Sequence, residues 1–411
     1  MINETVVLLS PFEDQSEHRL SKHIADYLRS NTSFDRYLYQ PLKNIFVKVI
    51  VFDYLKQMTE VGVKGVNEKL IELVVTEHPK YVLWLRTYYE IQESTFLEIK
   101  RQGSTIIGWF GDDEVCFDDY SRWRIPFVDY CVTGDIHSVS KYKELGAKVI
   151  HAIPCTGTAF DRDWAKMETD YDVSFVGVRD DDRVRYIDEL RNHNINVNVF
   201  GSGWGRFLNY EDMINVFQTS KINLSFSKDR RNTTLQIKGK IFEVCMAGGF
   251  LLTEYNPIFE DYFDIEKEIV CFQDAEEMKE KIDYYLLHDK ERNAIAQAGW
   301  KRATAEYTSF HMISKIFNEV RADKEVSGDL DKTINRDVKV PKHIRKRLSN
   351  YYLNWGNAFA QENYAGLWKD AFALSISYNK RNILALIYFV VGFLPLFIRK
   401  LLLKLYGIFS P

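Results

Sequence analysis

Residues 238–255 read KGKIFEVCMAGGFLLTEY. From Ile241 to Ala247 the stretch has the composition of a buried helix, Gly248-Gly249 breaks it, and FLLTEY follows as a short β-like run. Upstream, INLSFS (222–227) is another strand pattern, so the order is strand, basic loop, helix, glycine turn, strand. That order is a βαβ unit, which makes its two strands parallel neighbours of one sheet. Lys238 and Lys240 stand at the entry to the helix and Glu243 one turn in. On one reading they are surface charge, a solvent-facing glutamate with lysine neighbours. On the other they meet a ligand: the carboxylate accepts two hydrogen bonds from a ribose diol while the lysines hold phosphate charge.

The same alternation runs through most of the chain. TVVLLS, YVLWL, STIIGWF, DYCVTG and KVIHAI read as strands in the first part, and DVSFVGV, NVNVFGS, INLSFS, FLLTEY and EIVCF in the second. Segments such as EHRLSKHIADYLRS and DAEEMKEKIDYYLLHDKERNAIAQAGWKRATAEY carry the i, i+3, i+4 apolar spacing of helices. The pattern predicts two doubly wound α/β domains facing a cleft lined by the carboxyl ends of both sheets, where ligands bind. The seam falls in IPCTGTAFDRDWAKMETDYD (153–172), giving an N-terminal acceptor-side domain over 1–157 and a C-terminal ligand-binding domain over 158–321. Residues 322–340 read as a linker, and 341–411 as a basic helical tail.

The chain of 411 residues is long enough for two domains and an appendage, and 46% hydrophobic with 27% charged residues is the composition of a folded protein. The aromatic content of 14% goes with carbohydrate or membrane-interface contacts without proving either. Five widely spaced cysteines, never CxxC, argue against a disulfide framework or a zinc site and fit a reducing cytoplasm. MINETVVLLSPF reads as a buried first strand rather than a leader, so the expected compartment is cytoplasmic. Charge is uneven: 341–411 holds ten Lys/Arg against two Asp/Glu, about +8, which leaves about −12 on the rest of a chain of net −4. A basic tail on an acidic body, without a nucleic-acid-binding motif, points to anionic lipid.

The end of that tail, NILALIYFVVGFLPLFIRKLLLKLYGIF, has an uncharged run of 16 residues from Ile383 to Ile398. A full span needs about 20. Lys380 and Arg381 precede the run, and Arg399, Lys400 and Lys404 follow it among leucines. The expectation is a monotopic helix with Phe389, Phe393 and Phe397 in the bilayer and Arg381, Arg399, Lys400 and Lys404 at headgroups. A true span and a final helix buried on the body are the alternatives. The segment before it, YYLNWGNAFAQENYAGLWKDAFALSISYN, resembles one helical-hairpin repeat, which must pack on a domain or serve an interface.

Three further stretches carry candidate chemistry. DVSFVGVRDDDRVRYIDEL is strand, turn, helix start, with Gly177, Arg179, Arg183 and Arg185. Helix N-termini and arginine forks suit a diphosphate, although Asp180 to Asp182 also stand ready to cap the helix and pair with those arginines. NVNVFGSGWGR places Gly201, Ser202, Gly203, Trp204 and Gly205 after a strand, which permits close backbone approach to a ligand with Trp204 available for stacking. It is not the dinucleotide fingerprint GxGxxG. Asp112 and Asp113 follow STIIGWF at a strand's carboxyl end, where a general base or a helix N-cap would sit. His18 is a second candidate base. No metal site is expected, GDD at 111–113 being the nearest pattern.

The segment 236–302, QIKGKIFEVCMAGGFLLTEYNPIFEDYF through AGWKR, resembles the C-terminal half of bacterial glycosyltransferases of the spore-maturation (CgeB-like) type. STIIGWFGDDEVCFDDYS and FVDYCVTGDIHSVSKYKELGAKVIHAIPCTGTAFD are similar to the N-terminal half of the same group, which belongs with the group 1 glycosyl transferases. The resemblance spans about 75–320 and is densest over 172–308. It implies a GT-B fold of two Rossmann-like domains and a nucleotide-sugar donor held by the second, with no other cofactor. On it, Glu243 is the ribose-binding glutamate, Lys240 replaces the usual arginine, and Gly177, Val178 and Arg179 form the diphosphate turn. Leu235 stands where many retaining relatives have a second glutamate, so the anomeric outcome is open. With that donor, the expected activity is sugar transfer to a hydroxyl of a lipid-linked or surface-glycan acceptor, which the basic, apolar tail would place at the inner membrane face, with homo-oligomers allowed. A non-catalytic nucleotide-sugar-binding or scaffold subunit is the alternative, and a nicotinamide oxidoreductase would need a better glycine fingerprint.

Overall fold

Val6, Val7, Leu8 and Leu9 are all 0% exposed, and they alternate between two apolar layers, Val7 and Leu9 in one and Val6 and Leu8 in the other. A strand buried on both faces is the mark of a parallel sheet covered by helices. In the computed structural model, the described residues are 1–10, 35–85, 90–153, 157–164, 169–228, 235–323, 341–361, 367–382 and 386.

The first sheet contains β1 (Ile2–Leu9), β2 (Phe46–Phe52), β3 (Tyr81–Leu85), β4 (Thr105–Phe110), β5 (Tyr130–Thr133) and β6 (Val149–His151) in the order β2-β1-β3-β4-β5-β6. The second contains β7 (Tyr171–Val176), β8 (Val197–Phe200), β9 (Ser220–Ser225), β10 (Leu251–Glu254) and β11 (Val270–Phe272) in the order β11-β10-β9-β7-β8. Every strand pair is parallel. All ten strand patterns read from the sequence form strands. The eleventh, β2, escaped notice because Lys48 interrupts its run, yet that lysine sits at an exposed position and pairs with Glu77.

Helices α1 (Tyr54–Glu77), α2 (Glu93–Arg101) and α3 (Ile136–Glu144) belong to the first sheet. Helices α4 (Asp181–Asn192), α5 (Tyr210–Thr219), α6 (Gly239–Met246), α7 (Ala275–Leu287) and α8 (Asp289–Glu306) belong to the second. Helix α9 (Ser309–Ala322) crosses back to the first sheet: Phe317 meets Phe46 and Tyr81 edge-on at ring distances of 4.7 and 5.4 Å. Just beyond it, Asp323 accepts from Tyr130 and pairs with Lys148 at 2.7 Å.

The tail starts as a helical hairpin, α10 (Lys342–Gln361) and α11 (Leu367–Tyr378). It packs on a domain, as a lone repeat must: Leu348, Tyr352, Trp355, Phe359, Trp368 and Phe372 enter the same apolar cluster as Val63, Val66 and Leu70 of α1. Gly356 lets the two helices touch, since a Cβ there would run into the Phe372 ring. The opening residues of the expected membrane tail are thus core of the N-terminal α/β layer. Arg381 is exposed in the turn that follows α11. Phe389, Phe393, Phe397, Arg399, Lys400 and Lys404 lie outside the described residues, as does His18. Among the described residues no helix is long and apolar enough to cross a membrane.

Candidate functional site

In the second sheet the chain winds outward in both directions from the boundary between β7 and β9. Such a switch point opens a crevice at the strands' carboxyl ends. A cavity of about 700 Å³ sits there, lined by Phe175, Gly177, Val178, Ser225 and Phe226 from the ends of β7 and β9. Arg183, Gln236, Lys238 and Lys240 complete that wall, and Asp112 and Val115, behind β4, face it from the first sheet.

The cations of this wall are held by the backbone. The Lys238 ammonium donates to the carbonyls of Phe226 and Lys228 at 2.5 and 2.7 Å, and Lys240 donates to Val176. Burial pulls Lys238 down to about 7, with Arg183 and Lys240 acting in the same direction. Burial likewise pulls Lys240 down to about 8, against the opposing pull of Glu243. Arg183 pairs with Asp180 at 3.0 Å and donates to the Val178 carbonyl at 2.7 Å. Phe175 supports two of the cations, with Lys240 5.6 Å and Arg183 5.8 Å from its ring centre.

Two helices start at this wall and differ in one respect. The Asp180 side chain caps α4 by accepting from the Arg183 amide at 3.0 Å. Helix α6 begins at an extended Lys238 with no side-chain cap. Its first-turn amides and positive dipole end are therefore the better seat for an anion.

Glu243 is not surface charge. It is 8% exposed, and one oxygen accepts a 2.9 Å hydrogen bond from the hydroxyl of Tyr37, which comes from the short helical turn Asp35–Tyr39 of the N-terminal domain. Tyr210 packs edge-on against Tyr37 at 5.7 Å, and Arg36 pairs with Glu211 at 2.8 Å. Burial first and Glu243 second push the Tyr37 hydroxyl well above the ordinary tyrosine range, and the same causes push Tyr210 up to about 12. The sequence offered no sign of Tyr37, because 206 positions separate it from Glu243.

The glycine turns lock to each other. Gly201, at φ +114°, lies against Gly177 so closely that a Cβ would strike the Gly177 carbonyl. At Gly203 a Cβ would lie 2.8 Å from that of Arg179. The Arg179 amide donates to the Ser202 carbonyl at 2.8 Å. The close approach expected of these glycines thus serves first to join the turn after β7 to the turn after β8. Trp204 packs edge-on against Phe175 at 6.3 Å and beneath the Arg179 guanidinium at 5.7 Å, outside the cavity lining. Its indole nitrogen is buried and has no partner among the described residues. Gly248, at φ +77°, ends α6 with a left-handed residue, and Gly249 leaves room for Asn223.

On the facing wall the aspartate pair divides. Asp113 is 1% exposed, and its oxygens accept from Ser121 at 2.5 Å and Tyr142 at 2.9 Å, a structural place inside the domain. Asp112 is exposed, lines the cavity, adopts a left-handed φ of 52° and makes no cap bond with its carboxylate. The next carboxylate, Glu114, is half-buried outside the cavity lining, and burial pushes it up to about 7. Leu235 is 40% exposed beside the basic loop. Among the described residues no three metal-ligating side chains converge.

The fold is GT-B, two Rossmann-like α/β domains facing a cleft. Residues 182–318, which include α4 through most of α9, match the family described as glycosyl transferase-like. HepE from Anabaena, solved in complex with UDP and glucose, aligns with a TM-score of 0.50 at 10% identity over 78% of this chain and 100% of its own. Sucrose-phosphate synthase from Thermosynechococcus elongatus aligns at 0.48 and 8% identity over 78% and 100%. A glycosyltransferase from Rickettsia africae aligns at 0.45 and 10% identity over 82% and 100%. No curated protein matches the chain.

Proposed function

We propose that the protein transfers a sugar from a nucleotide-sugar donor to a hydroxyl of a lipid-linked or surface-glycan acceptor at the inner face of the membrane. One observation carries this reading. The cavity at the β7/β9 switch point gathers Arg183, Lys238 and Lys240 at the uncapped start of α6. In transfer, the bond from the anomeric carbon to the diphosphate breaks and its electron pair leaves on phosphate. The leaving group therefore gains negative charge, and preorganised cations in a dry site stabilise that charge most. Lysines poised near neutrality take up full charge when the diphosphate arrives. Glu243, buried one turn into the same helix, is the acceptor for the ribose diol. The match to glycosyl transferase-like proteins supports this donor class, as does HepE's complex with UDP and glucose. No metal is invoked, because these cations supply the charge. The spore-maturation subtype rests on the order of elements in the sequence.

The membrane part rests on a basic cluster at one end of the tail hairpin. Arg345 donates to the carbonyl of Tyr378 at 3.2 Å, which brings the start of α10 beside the end of α11. Lys342, Arg345, Lys346, Lys380 and Arg381 are all exposed there, and in sequence Lys380 and Arg381 stand just ahead of the uncharged run 383–398. Near an anionic surface each contributes about 1 kcal/mol.

The test is a thermal-shift screen of the full-length protein against UDP-, GDP-, CMP-, TDP- and ADP-sugars. A donor at a hundred times its Kd stabilises by about 2.7 kcal/mol. One nucleotide class should shift the protein, and Glu243→Ala should cut that stabilisation to about half or less at the same donor concentration. Silence across the panel would overturn the donor reading. Binding with no turnover in either wild type or Asp112→Asn would favour the scaffold alternative. Co-sedimentation with phosphatidylglycerol vesicles, lost with neutral vesicles, tests the membrane part.

A further inference from the structure

We propose that Glu254 is a positioning residue for the donor's diphosphate: its carboxylate holds the turn after β9, and that turn holds the Lys238 ammonium at the cavity wall. The inference rests on the donor reading above. Strands β9 and β10 are parallel neighbours with Ser225 opposite Thr253, so the chain leaving β9 runs beside Glu254 at the carboxyl end of β10. Glu254 is 5% exposed and stands behind the cavity lining, which Ser225 and Phe226 reach. One carboxylate oxygen accepts from the amides of Ser227 at 3.0 Å and Lys228 at 3.3 Å, and the other lies 3.5 Å from the Lys228 ammonium. The Ser227 hydroxyl donates to the Glu254 carbonyl at 2.5 Å, a second fastening of the same turn.

The turn is gripped from both sides. The peptide joining Phe226 to Ser227 gives its N–H to Glu254 and its carbonyl to Lys238. Lys228 divides its backbone in the same way, with its amide on Glu254 and its carbonyl on Lys238. The N–H and C=O of a peptide point in opposite directions. An anion at one end and a cation at the other therefore polarise it in the same sense, and hydrogen bonds linked in this way strengthen one another. Glu254 supports the charge of Lys238 through these backbone groups rather than by a direct ion pair.

Lys238 needs that support. Arg183 from α4 and Lys240 from the first turn of α6 are cations beside it, and Asp180 and Glu254 are the anions. Asp180 is committed to Arg183 and to the cap of α4. Tyr186 stacks on Phe226 at 5.2 Å, and burial followed by the Glu254 charge raises its hydroxyl, so it stays neutral. Burial is the largest influence on Lys238 and favours the uncharged amine, while Glu254 opposes it. The ammonium is thus kept in place, and closer to full charge, for an arriving diphosphate.

The experiment titrates full-length protein by calorimetry from pH 5.5 to 9, with whichever of the UDP-, GDP-, TDP- and ADP-sugars raises its melting temperature most. In the wild type, affinity should begin to fall near pH 7. Glu254→Gln keeps an oxygen for the turn amides and removes the charge. It should move that onset down by about one pH unit, which makes the Kd about tenfold weaker at pH 8 and leaves it within about twofold at pH 5.5. Glu254→Asp keeps the charge and should keep the onset near pH 7. An equal loss at pH 5.5 and pH 8 would reduce Glu254 to a support of the fold and overturn the proposal. So would a Kd for Glu254→Gln that stays within about twofold of wild type at pH 8. Lys238→Met tests the proposal even where Glu254→Gln does not fold. It should shift the onset to near pH 8, where Lys240 titrates, and an onset still near pH 7 would overturn the proposal. A wild type that binds none of the four sugar nucleotides overturns the donor reading itself, and is told apart because no Kd is then obtained at any pH.

Discussion

The two walls of the cleft carry opposite charge and hold it in opposite ways. On the C-terminal wall the two lysines are tied to neutral carbonyls, so their burial goes partly uncompensated and they give up protons near pH 7 and 8. On the N-terminal side the exposed Asp112 lines the cavity, while Asp113 and Asp135 behind it are engaged by hydroxyls and amides. The cationic wall is short of negative charge, which the diphosphate of a sugar nucleotide would supply.

The largest effect should come from the cationic wall. Lys238→Met with Lys240→Met should weaken donor binding at least 100-fold, about 2.8 kcal/mol. Asp112→Asn on the opposite wall should leave the Kd within threefold. Calorimetry of both variants checks this contrast, and equal losses would end it. Next in size is Glu243→Ala, expected to lose about tenfold to a hundredfold, the value of a charged hydrogen-bond acceptor. Because that change also strands the Tyr37 hydroxyl, Glu243→Gln serves as the control that keeps a partner for it.

How far the sequence discloses this arrangement depends on the range of each signal. Strand and helix patterns are local, so the parallel sheets and the βαβ unit at 222–255 were legible, and only β2, with a lysine on its exposed face, escaped. The glycines were visible, but their task was not. Nothing local says that Gly201 meets Gly177 rather than a ligand. Asp112 and Asp113 read alike as neighbours and part only in the fold, where one faces solvent and the other Tyr142. Glu243 was singled out through its helix and its family resemblance, and the fold buries it. Its partner Tyr37, contributed by the other domain, left no trace in the pattern, since pairing at that separation is a property of the tertiary fold alone.

The pH dependence tests the comparison from a third side. Both lysines titrate lower in the fold than in the unfolded chain, where the ordinary value is about 10.4. The unfolded chain therefore binds more protons between about pH 7 and 10, and these two groups make stability rise with pH over that window. Donor binding should run the other way. Below pH 7 both lysines are charged and the diphosphate binds best. From pH 7 to 9 affinity should fall by roughly 500-fold, about 50-fold through Lys238 and about 10-fold through Lys240, because each lysine must first regain its proton. A flat donor affinity over this range would mean that the lysines stay charged without a ligand.

The smallest effect expected is the most informative about the join between the walls. The Tyr37 hydroxyl occupies one oxygen of Glu243, and the contact is buried between the two domains beside Tyr210. A ribose diol needs the same carboxylate, and a charge-assisted hydrogen bond from tyrosine is a strong competitor for it. Tyr37→Phe removes the competitor and keeps the ring packed on Tyr210. Donor affinity should then rise about threefold to tenfold, up to about 1.4 kcal/mol, while kcat falls or stays level, because the N-terminal wall loses one of its ties to the donor side. A fall in affinity would instead make Tyr37 a support that orients Glu243 for the ribose. Binding of the donor would then depend on the N-terminal domain being in place, rather than on its giving way.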